Sequence, residues 1–279
     1  MAAAAAAATS AALGDASLLG PTAALAAEDA RLPGFLPSRC QEEIAINGAY
    51  LNPCMTDRER TFQWPAPVGS VIIEQGPIGP SNTGETLWNA AVLMADHMAS
   101  KLGRDYFQGK SVIELGCGTA LPSIVAARCG AARVLATDIS PEVLERAQRN
   151  VARNPPPEPN SAAASVELTR LVWGVATDEE AMRLEGTFDV VIASDVLWVL
   201  GSWKPLATAA RQLLKPDGEF LLAETGHDSL PLPAALAGFR AVAESSGLVI
   251  DDGRSAILPL QVDGFDAQLI VAHRKKGLI

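Results

Sequence analysis

Between Ser111 and Glu224, short apolar runs alternate strictly with stretches whose apolar residues recur at helical spacing. This alternation constrains the fold most, because strands separated by helices of about 10 to 15 residues predict βαβ units and a parallel sheet. Ser111–Leu115 reads as a strand, Leu121–Cys129 as a helix and Arg133–Thr137 as a second strand. Pro141–Asn150 reads as a helix opened by Ser140 as its cap and Pro141 at its first position. Val166–Trp173, Phe188–Ala193 and Glu219–Glu224 supply further strands, with a helix over Lys204–Leu214 and a turn over Lys215–Gly218. Upstream, Val71–Gln75 predicts a strand and Thr86–Leu102 a helix, with Leu87, Ala90, Ala91, Met94 and Met98 on one face. The C-terminal end differs. A helix over Ala234–Ser245 leads to Leu248–Ile250 and Gln268–His273, too close together for a long crossover helix, which predicts an antiparallel pair.

About half of the first thirty residues are alanine, and large apolar side chains are scarce there. Residues 1–35 are therefore expected to be a disordered or partly helical tail, 36–105 an extension packed on the core, and 106–279 the core itself. The tail lacks the arginines of a transit peptide and the basic start of a secretory signal, so the cytoplasm is expected, with the nucleus open. No run of about 18 large apolar residues predicts a membrane span. The net charge of −10 disfavours nucleic acid, and the short basic cluster Arg274–Lys276 does not change that. Such a surface suits a basic partner or a small substrate. The four cysteines, Cys40, Cys54, Cys117 and Cys129, form no CxxC pair and are expected as reduced thiols. With three histidines and no zinc-type spacing, no metal site is expected.

The chemistry concentrates at Val112–Ala120, where a strand meets a glycine turn and a helix follows. Gly116 and Gly118 let the backbone turn tightly and approach a ligand, although a glycine pair alone is a weak signal. Asp138 sharpens it. It ends the next strand twenty residues after Gly118, where a carboxylate can accept both ribose hydroxyls of an adenosine cofactor. A third glycine of the dinucleotide fingerprint is absent, since Leu121 stands there. Glu114, just ahead of the turn, would repel a pyrophosphate but can help hold the ammonium and sulfonium end of S-adenosylmethionine. A nucleoside cofactor without phosphates is the favoured reading.

Glu114-Leu115-Gly116-Cys117-Gly118-Thr119 resembles the first cofactor motif of the seven-β-strand class I methyltransferases, and more narrowly of the lysine methyltransferase-like group, family 16. The resemblance covers roughly Thr61 to Arg274. Ala120 replaces a glycine common in that group. Thr83–Ala91 is similar to the group's glycine–tryptophan segment, with Trp88 near the cofactor, and Val172-Trp173-Gly174 to the end of its third strand, with Trp173 flanking the adenine. Ser194-Asp195-Val196-Leu197-Trp198 stands where the group has Asp-x-x-Tyr/Phe, the aromatic kept as tryptophan. The resemblance implies a Rossmann-like α/β fold with a seven-stranded, mostly parallel sheet, a terminal antiparallel hairpin and helices on both faces. It implies S-adenosyl-L-methionine as cofactor, bound by Trp88, Glu114, Gly116, Cys117, Gly118, Asp138, Ile139, Trp173, Gly174 and Ser194, with Asp195 and Trp198 catalytic.

The residues agree with that reading. Asp195 and Trp198 lie past the carboxyl end of Phe188–Ala193, the edge where open α/β sheets bind ligands. Asp195 can orient a lysine amine while Trp198 holds its stem and cation on a ring face. An N-cap aspartate with a core tryptophan one turn on is the plain alternative, and Trp88 and Trp173 can equally be core aromatics. Glu224, Thr225 and His227 share the same sheet edge and can face substrate or simply form a loop. The expected function is transfer of a methyl group to a lysine of a protein substrate. A small-molecule acceptor of the nicotinamide type, an NAD-dependent oxidoreductase and a non-enzymatic binding module are the alternatives, in that order.

Overall fold

The computed structural model describes residues 44–46, 49–51, 53–77, 83–156, 165–174, 182–226, 230–262 and 265–275. The alanine-rich segment 1–35, Cys40, His227 and Lys276 lie outside the described residues. Two short strands, β1 (Ile44–Ile46) and β2 (Ala49–Leu51), pair antiparallel, as do β3 (Glu59–Gln63) and β4 (Ser70–Glu74). Helix α1 (Asn89–His97) continues through a π-helical turn (Met98–Leu102) into α2 (Gly103–Phe107).

The core follows as β5 (Ser111–Leu115), α3 (Leu121–Arg128), β6 (Arg133–Asp138), α4 (Pro141–Arg153), β7 (Val166–Arg170) and β8 (Phe188–Ser194). The chain then forms α5 (Trp203–Leu213), β9 (Leu214–Thr225), α6 (Leu232–Ser245), β10 (Leu248–Ile250), β11 (Ala256–Val262) and β12 (Phe265–Arg274). Seven strands form the central sheet in the order β10-β12-β9-β8-β5-β6-β7, and β11 pairs off β12 as an eighth. β7, β6, β5, β8 and β9 run parallel, whereas β12 pairs antiparallel with β9, β10 and β11. The expected parallel sheet and antiparallel end are both present.

Strand periodicity explains the two-sided core. Val112, Val134, Ala136, Val190, Ile192, Leu221 and Ala223 pack towards α1, α3 and α4. Their neighbours Ile113, Leu135, Val191, Ala193, Phe220 and Leu222 pack towards α5 and α6. Helices therefore cover both faces. Among the described residues, no helix is long and apolar enough to cross a membrane.

Several sequence expectations are corrected. The helix expected from Thr86 starts at Asn89, because Trp88 has extended backbone (φ −81°, ψ 154°) and Thr86 and Leu87 precede it outside the helix. The strand expected to reach Trp173 ends at Arg170, and the chain then turns at Trp173-Gly174, with Gly174 at φ +75°. The turn over Lys215–Gly218 is a bulge inside β9: Phe188 pairs with Leu214 and Val190 with Glu219, so one residue of β8 faces four of β9. Cys54 is disulfide-bonded, not a reduced thiol, while Cys117 and Cys129 are free and buried.

The extension is tied to the core through α4. Asn150 and Asn154, one turn apart, act as a substitute strand for β4: Asn150 Oδ1 accepts the Glu74 N–H at 2.8 Å and its Nδ2 donates to Glu74 O at 2.9 Å. Asn154 makes the same pair of bonds to Ile72, at 2.9 and 2.7 Å. Asn150 Nδ2 also donates to Thr119 O at 3.1 Å, so one buried amide joins extension, helix and glycine turn.

Candidate functional site

The strand order reverses between β5 and β8, and connections from the two sides diverge there at the carboxyl ends of the strands. A cavity of about 830 Å³ opens at that point. Its floor is the turn after β5. Gly116 and Gly118 have φ of +72° and +51°, where side chains are strained. A Cβ on Gly116 would lie 3.2 Å from Val196 Cγ1 and 3.3 Å from Trp173 Cζ2, and one on Gly118 3.0 Å from Gly84 O. The two glycines therefore shape a cradle that any side chain would fill. Ala120, in place of the group's common glycine, is also left-handed (φ +65°) and buried.

Asp138 stands across the turn. Its Oδ2 accepts the Gly118 N–H at 3.2 Å and its Oδ1 the Ser140 N–H at 3.1 Å, which fixes the carboxylate at the cavity wall. Burial pushes its pKa up against those backbone bonds. Trp173 lines the wall beside Gly116, and Ile139 lines it while remaining exposed.

The segment before α1 supplies the opposite wall. Trp88 Nε1 donates to Thr83 O at 2.8 Å, closing a loop over Gly84, and both Trp88 and Thr86 line the cavity. The segment is braced from outside. Arg146 Nη2 meets Glu85 Oε2 and its Nη1 meets Glu74 Oε1, each at 2.6 Å. Buried Gln75 Oε1 accepts the Leu87 N–H at 3.1 Å.

The turn after β8 completes the site. Asp195 has a left-handed backbone (φ +52°), is buried and lines the cavity. Its Oδ1 accepts from Thr225 N–H at 3.1 Å and Thr225 Oγ1 at 2.6 Å, and its Oδ2 accepts the Ala90 N–H at 3.3 Å. Glu224 sits beneath, with Oε1 accepting the Val196 and Leu197 N–H groups at 2.7 and 3.0 Å. Its burial and the charge of Asp195 hold its carboxyl well above the usual range. Trp198, 53% exposed, stands on the wall at the mouth. Glu224 and Thr225 thus hold the turn and do not line the cavity.

Ten of the twelve residues expected at the site line this cavity: Trp88, Gly116, Cys117, Gly118, Asp138, Ile139, Trp173, Ser194, Asp195 and Trp198. Glu114 and Gly174 do not. Glu114 is buried behind the turn, where its Oε2 accepts Ser123 N–H at 3.0 Å and the Ser123 hydroxyl. Desolvation raises its pKa to about 8, and its side chain lies behind the turn, off the cavity wall where the sequence places it. Gly174 faces Pro205, whose Cα would lie 3.2 Å from an added Cβ. Thr86, Leu87 and Val196 also line the wall, inside motifs quoted from the sequence but without a role assigned there. Val143, Leu171 and Pro205 are wall residues that lie outside those motifs, apolar contacts set by packing.

A protein-family model described as lysine methyltransferase matches residues 71–228, more than half of the chain. The chain belongs to the lysine methyltransferase family. Its relatives include the Yarrowia lipolytica "Protein N-terminal and lysine N-methyltransferase EFM7", 29% identical over 177 residues, 59% of this chain and 64% of that protein. The Mus musculus "EEF1A lysine methyltransferase 3" is 34% identical over 137 residues, covering 49% of this chain and 53% of that protein. The chain spans less than two thirds of the length of these relatives. Among solved structures, SMU.776 in complex with S-adenosylhomocysteine superposes with a TM-score of 0.54 at 14% identity, covering 73% of this chain and 53% of that one. The [4+2]-cyclase SpnF superposes with a TM-score of 0.50 at 15% identity, covering 70% of this chain and 86% of that one. These likenesses show the fold, and a fold shared with a cyclase does not assign a reaction.

Proposed function

We propose that this family member is an S-adenosylmethionine-dependent N-methyltransferase that methylates a lysine side chain of a protein. The observation that carries the reading is the chemistry of the cavity wall. Among the described residues, it bears the carboxylates Asp138 and Asp195 and no Lys, Arg or His. Nor is the N-terminus of α3 free for phosphate. Pro122 lacks an N–H and Glu114 takes that of Ser123, so two of the first-turn donors that would cradle a pyrophosphate are not available to it. A cofactor bearing a sulfonium and an ammonium fits such a wall, and a dinucleotide does not. The names of the relatives support lysine in a protein as the acceptor.

The residues fit the cofactor part by part. Asp138 would accept the ribose hydroxyls, Trp173 and Ile139 would flank the adenine, and the Gly116–Gly118 turn would let the backbone approach it. The cofactor supplies the methyl group. The protein's task is then to position and desolvate the acceptor nitrogen. Asp195 draws the lysine cation inward, its charge fixed by Thr225 and Ala90. Trp198 holds the alkyl stem against its ring face. A lysine has an ordinary pKa of about 10.4, so before attack it must give its proton to water at the cavity mouth; the apolar part of the wall disfavours the charged form, against the pull of Asp195.

The test is methyl transfer from labelled S-adenosylmethionine to lysate proteins and, in parallel, to nicotinamide, with product residues located by mass spectrometry. Label on protein lysines supports the proposal. Label on nicotinamide alone would replace it with the small-molecule reading.

A further inference from the structure

Six large apolar side chains stand exposed among the described residues, and three of them are consecutive: Trp198 at 53%, Val199 at 40% and Leu200 at 64%. A run of three exposed apolar residues is unfavourable in water unless it serves a function. Trp198, Val199 and Gly201 line the mouth of the cavity, so Leu200 stands on its outer lip.

The backbone leading into the run is anchored, and Val199 is tied to Ser202. Glu224 takes the Val196 and Leu197 N–H groups from beneath, Ser202 Oγ donates to Val199 O at 2.7 Å, and Trp203 Nε1 donates to Leu197 O at 2.8 Å. A preformed apolar surface costs less to dock against than one that must be ordered first.

Building on the proposed lysine methylation, we infer that Trp198-Val199-Leu200 is a docking ridge for a protein segment in which the target lysine is flanked by large apolar side chains. Charge selects this occupant. The cavity beside the ridge carries two carboxylates and no basic side chain, which suits a cation between apolar neighbours. The same carboxylates repel an anionic lipid surface, and a net charge of −10 opposes a second copy of the chain. A small acceptor seated in the cavity would leave Leu200 uncovered.

The test compares lysine peptides flanked by leucine and phenylalanine with the same peptides flanked by serine, using the full chain. Wild type is expected to favour the apolar flanks by about tenfold in kcat/KM, and Leu200→Ser to lose most of that preference through KM. S-adenosylhomocysteine affinity and thermal stability should stay unchanged in Leu200→Ser. Val249→Ser, at an exposed apolar site on β10, should match wild type. Equal methylation of both peptide sets, or a preference that survives Leu200→Ser, would overturn the inference and leave lysine methylation standing. Binding of the full chain to phosphatidylserine vesicles that Leu200→Ser abolishes would assign the ridge to lipid and also overturn it. Methylation of no lysine peptide would overturn the proposed function as well.

Discussion

Asp195 caps helix α1 from 105 positions downstream, its Oδ2 accepting the Ala90 N–H at 3.3 Å while its Oδ1 accepts both donors of Thr225. One buried carboxylate therefore joins the turn after β8, the end of β9 and the wall segment that carries Trp88. Asp195→Asn places an amide nitrogen against a donor on one side or the other. It is expected to lower stability by about 1–3 kcal/mol and to weaken S-adenosylhomocysteine binding, whereas Thr225→Val should cost about 1 kcal/mol. Denaturant unfolding and calorimetry on both variants check this. Wild-type stability in Asp195→Asn would show that the carboxylate does not hold these elements.

The raised pKa of Glu114 has a sign that can be read from stability. With a folded value of about 8 against an ordinary 4.5, the folded state binds the extra proton between those limits. Its contribution is fully present below about pH 4.5 and is lost as pH rises through about 8. Glu224 and Asp138 shift in the same direction and remain in any Glu114 variant. Glu114→Gln is therefore expected to decline less than wild type from pH 5 to 8.5, the difference curve isolating Glu114. Melting temperatures across that range measure it. Parallel curves would mean that Glu114 stays ionised in the fold.

Gly118→Ala should separate backbone strain from loss of the cradle. The left-handed φ of +51° costs about 1–2 kcal/mol with any side chain. The added Cβ also meets Gly84 O at 3.0 Å, backbone that cannot rotate away. Gly69→Ala carries a similar φ, +68°, with nothing within 4 Å of its Cβ. Both variants are expected to lose stability, and only Gly118→Ala to lose cofactor affinity. Equal affinity in the two would remove the glycine turn from the site.

Much of this was legible in the sequence because its causes are local. β5, β6 and β8 follow from apolar runs beside glycine and cap signals, and Ser140 caps α4 by accepting the Val143 N–H at 3.3 Å, as its position before Pro141 predicts. The start of α1 was not legible. Trp88 makes no side-chain cap and the cap comes from Asp195, so nothing near Asn89 marks the boundary. Apolar spacing at Leu87 continues the helical pattern upstream, whereas the fold uses Thr86 to Trp88 as cavity wall. Glu114 was misplaced for a related reason. Its position beside the glycine turn is local, but the Ser123 donors that draw it behind the turn belong to α3. The π-helical turn after α1 and strand β11 depend on packing and pairing that no short pattern announces.

That the cavity binds S-adenosylmethionine through Asp138 is tested most directly by calorimetric titration of the chain with S-adenosylhomocysteine and with NAD, with Asp138→Ala alongside. Micromolar-range binding of S-adenosylhomocysteine to wild type, its loss in Asp138→Ala, and no binding of NAD are expected. Binding of NAD with no binding of S-adenosylhomocysteine would contradict S-adenosylmethionine as the cofactor.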